Sequence, residues 1–540
     1  MRAICVTVAA VLASTGAAAP FYLSDFGYID NTVSPPICYL PHLSQPGNSS
    51  RQMPIGPENG NAVGAQWGDI AWINPRDPIT GAGYWDSLID SLIVAGRAVT
   101  ITLVEKTWDA ARGIWIDANP VTGGLAAFSG IALGWSTDGD SVTLHIRDNL
   151  AVLEQPLQDN FYSGAGGAGG TTDIANQPIP KTRGVVTNVT PILVDPAKNT
   201  YQISDASVAL LTVYEGGIAG FSLTSNFATY ALLAAATLTS GQYATCLAQG
   251  YFRLGTTPVY DITCDLRGNF PSGATPSDTI DIVLGLLEED CGIASGSINT
   301  ASIGALQTLL ASLYGTNRSG FYTGSDNPTP IDLLSLLLNA YSCSVGTDLN
   351  GKVDIFQLVS PNPVGTTVAE FTTAHILDGA QHVDLPDGVV IPNWRRSVSF
   401  QPNGTTQSGN TLKPGVTQAQ RQVLAKPYAI ATWSSTGGGS VRALYPTSLD
   451  APIVLSGLID GSAAQSMATN LGALWGVQRH LYDLSLPRAV ILPSSGPAVE
   501  LGAIIGVTFP IGKLAARAVC EVVGMDPDFN GDTVTLRVFL

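Results

Sequence analysis

GDSVTLHI, residues 139–146, returns at the other end of the chain as GDTVTLRV, residues 531–538. In each copy a Gly-Asp turn opens a strand with apolar residues at a period of two: Val142, Leu144 and Ile146, then Val534, Leu536 and Val538. That alternation puts them on one face of a half-buried strand. A strand closing in glycine precedes both copies, and the reading aligns Phe128-Ser129-Gly130 with Val522-Val523-Gly524. A motif repeated at both ends of a 540-residue chain predicts two similar β-barrels, one at each end. Chance similarity of two hairpins is the competing explanation.

Outward from the first copy the chain continues in short strands: residues 97–105 (RAVTITLVE), 114–116 and 125–133. Residues 66–78 (QWGDIAWINPRDP) read as a strand closed by Pro75 and Pro78, and residues 84–94 as a short amphipathic helix or an ordered loop. Short, regularly spaced strands with few helices belong to a barrel or a sandwich. The N-terminus imitates a secretory leader, with Arg2, the apolar run 3–13 and Ala17-Ala18-Ala19 before Pro20. The β-branched Val6, Thr7, Val8 and Val11 favour a first strand instead. No other apolar segment reaches the roughly 18 residues of a membrane span.

Between the barrels lies residues 161–205, FYSGAGGAGGTTDIANQPIPKTRGVVTNVTPILVDPAKNTYQISD. Gly164, Gly166 and Gly169 satisfy G-x-G-x-x-G, but that fingerprint needs an apolar strand before it and a helix after it. Gln158-Asp159-Asn160 precede it, and Pro178 and Pro180 follow. The stretch is therefore expected to be a flexible hinge leaving the first barrel, with residues 184–194 opening the next domain's first strand. Helical spacing follows over 226–238 and 279–290, and again after Thr329, where Pro330 takes the first helical position and Asp332 favours the dipole. Residues 250–268 read as a hairpin turning at Gly255-Thr256-Thr257-Pro258, which could bring Cys246 and Cys264 together, bonded or reduced. Residues 462–474 form a further helix, and strands return from residue 484 to the end.

The composition narrows the function. Charged residues are 12%, against about 25% in typical globular proteins, so the surface is partly apolar and suited to burial against partners. The net charge is −17 and the longest basic cluster is Arg395-Arg396, which argues against gripping nucleic acid. Seven cysteines (Cys5, Cys38, Cys246, Cys264, Cys291, Cys343, Cys520) show no zinc spacing and read as small buried hydrophobes in a reducing compartment. There is no phosphate-binding loop, no H-E-x-x-H, no EF-hand loop and no G-x-S-x-G. His375 and His382, with Asp378, Asp384 and Asp387 nearby, lack a metal-binding spacing. Glu288-Glu289-Asp290 read as a solvated helix end, and the N-x-[ST] sites at Asn48, Asn188, Asn317 and Asn403 as chance occurrences. No catalytic, cofactor-binding or metal residue is assigned.

A series of motifs resembles one family. They are GDIAWINP (68–75), HIRDNLAVLEQPL (145–157), FYSGAGGAGG followed by GVVTNVTPILVDPAKNTYQI, GYFRLGTTPVYDITCDLRG (250–268), GFYTGSDNPTPIDLLSLLLNAY (320–341), IPNWRRSVSFQPNGTTQ (391–407) and VVGMDPDFNGDTVTLRVFL at the C-terminus. Together they resemble the tail-tip or baseplate hub proteins of long-tailed bacteriophages and gene-transfer agents, over nearly the whole chain. One departure is Cys264, where the family favours a small residue. The resemblance implies a mainly β chain with α+β insertions: a barrel hub domain over 1–157, a Gly/Pro-rich connector over 158–200, a small α+β domain over 201–275, an α+β domain over 276–390 and a second barrel hub domain over 391–540. It implies a non-enzymatic, cofactor-free homotrimer at the tip of a virion tail. The expected partners are the tail-tube ring, a central fibre, other baseplate proteins and the end of the tape-measure protein, with phage DNA only in transit and no stable membrane insertion. Three copies would present six similar barrels, which suits docking on a sixfold tube. The alternative is a secreted β-rich enzyme or binding protein with residues 1–19 as its leader.

Overall fold

The computed structural model describes residues 2–47, 49–56, 62–361, 366–437, 439–490, 499–528 and 531–540. Of the features singled out above, Asn48 and the pair Phe529-Asn530 lie outside these residues. The first copy of the repeat, Ser141–Arg147, lies inside a seven-stranded sheet. Its order is Phe21–Ser24, Arg2–Val8, Ala98–Glu105, Leu125–Thr137, Ser141–Arg147, Ile70–Ile73, Leu43–Pro46. The second copy, Thr533–Phe539, lies in a sheet ordered Ala369–Thr372, Ile504–Thr508, Ala518–Asp528, Thr533–Phe539, Leu481–Pro487, Ala380–Val383, extended by Ser49–Gln52 and Gly64–Trp67. From Arg2–Val8 and from Ala369–Thr372 onward, six strands correspond one to one, in the same spatial and chain order. Among the described residues neither sheet closes on itself, so each barrel is a half-barrel. The fold is mainly β with helical insertions.

The correspondence extends to register. Val142 and Leu144 face Trp72 and Ile70 as Val534 and Leu536 face Leu486 and Leu484. On the other flank a β-bulge falls between Ala132 and Gly134, opposite Ile146 and His145. The second sheet has its bulge between Val522 and Gly524, opposite Val538 and Arg537. Gly524 therefore matches Gly134, not Gly130, and the alignment read from sequence is four residues out. Leu125–Thr137 simply runs past Gly130, which pairs with Val99 in mid-strand. Farther out, Val99 and Ile101 face Gly130 and Phe128 just as Ile505 and Val507 face Cys520 and Ala518. The first strands then part: Arg2–Val8 is antiparallel to its neighbour, whereas Ala369–Thr372 is parallel to its own.

Between the sheets in sequence lies a sandwich. Four strands (Val208–Glu215, Ile262–Gly268, Thr182–Val189, Gly320–Tyr322) pack on five (Ile192–Asp195, Thr200–Gln202, Tyr251–Leu254, Gln242–Cys246, Ser222–Asn226) around Val186, Tyr201, Phe252, Cys264 and Leu266. The hairpin expected over 250–268 does not form. Tyr251–Leu254 and Ile262–Gly268 belong to opposite sheets, and both edges of each are paired with other strands. Cys246 and Cys264 consequently face different buried clusters, and all seven cysteines are free thiols.

The helix expected over 226–238 shrinks to Tyr230–Ala235, with the strand Ser222–Asn226 in front of it. Thr279–Gly285 continues as a π-helical turn, Leu286–Asp290. Pro330–Leu338 starts at the Thr329–Asp332 capping box, as its sequence dictates. Thr300–Tyr314 escaped the sequence reading; Asn299 caps it, and Ile303, Leu306, Leu310 and Tyr314 form its buried face. The helices from Thr279 onward and Gly461–Trp475 join both half-barrels in one continuous hydrophobic core. No helix among the described residues is long and apolar enough to cross a membrane.

Candidate functional site

The two half-barrels meet beside the second sheet's bulge, past the point where Ile504–Thr508 stops pairing with Ala518–Asp528. Ser49–Gln52, from the N-terminal part of the chain, adds there as a strand, with Gln52 opposite Gly524 and Arg51 opposite Met525. The Met53 amide donates to the Val523 carbonyl at the bulge itself, 2.7 Å. A bulge re-aims its strand; here the carbonyl of the bulged Val523 is taken by the N-terminal part of the chain. Arg51, buried, locks the joint by donating to Glu500 at 2.8 Å and to the Thr347 carbonyl at 2.5 Å. Among the described residues the first sheet's bulge has no such cover: Leu133 is 54% exposed and a Cβ on Gly134 would meet nothing within 4 Å.

The repeat also carries its charges in register. His145 Nδ1 lies 2.8 Å from Asp69 Oδ1. At the matching positions Arg537 donates to both Asp483 oxygens at 2.8 Å. Asp140 and Asp532 of the two Gly-Asp turns are held by Arg76 and Arg488. Glu521 breaks the parallel. It is fully buried where the first sheet has Ile131, it accepts from the Val359 amide, and burial pushes its carboxyl well above the usual range.

Beneath the joint opens a cleft of about 840 Å³. Leu125 and Ala126 of the first sheet, Leu306 and Leu309 of the helix, Phe356 and Ile504 supply its apolar lining. Its charged groups are all acidic: Asp348, Asp354 and Glu500. Asp354 accepts from Asn299 at 2.9 Å and from the Ile355 amide at 2.8 Å, and burial raises it to about 6.

Solved structures similar to the chain include tail proteins. A 43 kDa tail protein of prophage MuSo2 from Shewanella oneidensis is 10% identical, with 99% of this chain and 98% of that one covered, at a TM-score of 0.34. A tail protein from Neisseria meningitidis MC58 is also 10% identical, covering 100% and 96% at 0.35. A chain from the virion of a native gene transfer agent particle is 10% identical, covering 72% of this chain and 91% of that one at 0.36. No protein-family model matches the chain, and no curated protein does.

The glycine run is not a loose hinge. Gly164 donates to the Gly169 carbonyl and Gly166 to that of Gly170, at 2.9 and 2.8 Å, around one 3-10 turn, Gly167–Gly169. Gly166 and Gly170 have φ of +86° and +73°, backbone that glycine tolerates, and the turn packs beside Tyr230. The first strand after it, Thr182–Val189, does open the sandwich. Asp290, read as solvated, instead has its side chain fully buried. Arg183 and Lys181 both reach it, at 2.7 and 3.0 Å, and both also hold Asp205. Burial alone would raise Asp205, but Arg183 and Lys181 outweigh it and keep the carboxyl below its usual range. The π-helical turn sets Asp290 against the sandwich, which period-3.6 reasoning could not foresee. His375 bonds locally to Thr372, while His382 lies beside His480 at 3.5 Å. No group of three metal-ligating residues occurs among the described residues.

Proposed function

We propose that this chain is a structural virion protein, a homotrimeric hub at the distal tip of a phage tail. The observation that carries the proposal is the pair of half-barrels with one strand order, one register and one bulge position. A chain with two equivalent sheets lets three copies offer six similar surfaces, so a threefold assembly can seat on a sixfold ring. The serial motif resemblance, the low charge and the −17 balance, which lets DNA pass without adhering, support the same reading. In this role the protein caps and extends the tail tube, anchors a central fibre and opens for genome ejection, with no chemistry of its own. Its partners are the tube ring, the fibre and other baseplate proteins, and the end of the tape-measure protein. Quantitative mass spectrometry of purified virions should count three copies per particle; one copy or six would refute the trimer.

A further inference from the structure

The repeat allows each half-barrel to serve as a control for the other. In the second sheet, Ile504–Thr508 and Ala518–Asp528 are joined by residues 509–517. In the first, the matching strands Ala98–Glu105 and Leu125–Thr137 are joined by the longer stretch 106–124. The extra length forms a two-stranded ribbon, Thr107–Asp109 with Ile114–Ile116, that belongs to neither large sheet. The second sheet closes the same connection without one, so the ribbon is not required by the fold.

Its surface is unusual for a connection. Trp108 and Trp115 face each other across the ribbon with ring centroids 5.3 Å apart, yet they are 50% and 43% exposed, and Ile114 is 49% exposed. No residue of the two strands is buried. Aromatic side chains bury about 150–250 Å² each when covered, and tryptophan is over-represented among interface anchors. At the turn stands Arg112, 71% exposed and only loosely paired with Asp109 at 3.5 Å.

The cleft under the joint has the opposite character. Its floor is apolar, and among the described residues its lining contains three carboxylates and no lysine or arginine. Glu500 is taken by Arg51, but Asp348 and Asp354 have no salt-bridge partner among the described residues. An apolar wedge with one basic residue at its tip complements an apolar cleft with two carboxylates lacking cations. The ribbon does not fill the cleft of its own chain, since none of residues 107–116 is among the cleft's lining.

We propose that the Trp108–Trp115 ribbon of one copy docks in the cleft of a second copy, with Arg112 meeting Asp348 and Asp354. The inference rests on the homo-oligomeric reading above and specifies the contact that builds it. A wedge and a cleft on one chain make a head-to-tail interface, which closes into a ring when the rotation permits.

The test uses the full chain, purified. Light scattering gives the mass of the native protein, of Trp108→Ser/Trp115→Ser and of Arg112→Glu. The double variant should raise the dissociation constant for self-association more than about tenfold, and Arg112→Glu should raise it less, both with unchanged circular dichroism. Separately, Trp115→Cys protein is mixed with Leu309→Cys protein and treated with a short bis-maleimide. Peptides joining residues 115 and 309 should appear, and in this mixture they can only arise between copies. A native oligomer that survives the double substitution and gives no 115–309 cross-link overturns the docking while leaving the trimer standing. A native protein that is monomeric at all concentrations overturns both.

Discussion

The N-terminal and C-terminal half-barrels share their central strands, register and bulge, and three of their differences lie at the sheets' margins. The outer strand is antiparallel in one and parallel in the other. The bulge is open at Leu133 in one and covered by Ser49–Met53 in the other. The connection before the long strand carries a tryptophan ribbon in one and is short in the other. The shared part is held by cross-strand apolar pairs that a short repeat can encode. The differing parts are where each sheet meets something beyond itself. In the second sheet that something lies within the chain, namely its own N-terminal segment. In the first it is exposed surface.

The equivalence can be broken first in the core. Leu144 and Leu536 are fully buried at matching positions, facing Ile70 and Leu484. Leu144→Ala and Leu536→Ala should each cost about 2–5 kcal/mol, read as the opening free energy of their own strands by amide exchange. Values differing by more than about 2 kcal/mol would show that the two environments are not alike.

Glu521 sharpens the contrast with Ile131. Its folded pKa is raised by burial, so the folded state holds the proton more tightly than the unfolded one. Stability from this group is then complete below the ordinary value of 4.5 and is lost as pH rises toward the raised folded value. Glu521→Gln should remove that alkaline decline from the second sheet and leave the first unchanged. Exchange measured across a pH series decides it, and an unaltered slope would contradict the assignment.

The matched glycines should respond differently. A Cβ on Gly524 would sit 2.9 Å from Arg537 Cβ, whereas one on Gly134 meets nothing. Gly524→Ala should cost about 1–3 kcal/mol and Gly134→Ala stay within about 0.5 kcal/mol of wild type, by thermal melts. Smallest is the matched ion pair. Arg537→Ala loses a bidentate, partly buried contact and should cost about 1–2 kcal/mol. His145→Ala loses a pair nearly half exposed on both sides and should cost under about 1 kcal/mol. Equal losses would mean that the two charge pairs are interchangeable.

Much of this comparison was legible in the sequence. GDSVTLHI and GDTVTLRV carry period-2 alternation and a turn, both of them local signals. The Thr329–Asp332 cap and the helix after it were legible for the same reason. The bulge was not, because one extra residue shifts register without changing composition, and that misplaced the glycine alignment by four residues. The false hairpin at 250–268 failed because a turn signal cannot say which sheet each flank joins. Asp290 was misread because its burial depends on a π-helical turn and on Lys181 and Arg183, far away in sequence. Trp115 reads from sequence as part of one more short strand and Trp108 falls in no element, since exposure is not written in a residue's type. The joint at Ser49–Gln52 is a long-range pairing with no local signal at all.

The central claim is that the two half-barrels are equivalent building blocks of one ring. Electron microscopy of the assembled protein, averaged without imposed symmetry, tests it directly. The account predicts a ring of six sheets in which N-terminal and C-terminal half-barrels alternate, with threefold symmetry elsewhere. A ring built from one kind of half-barrel, with the other kind outside it, would contradict it.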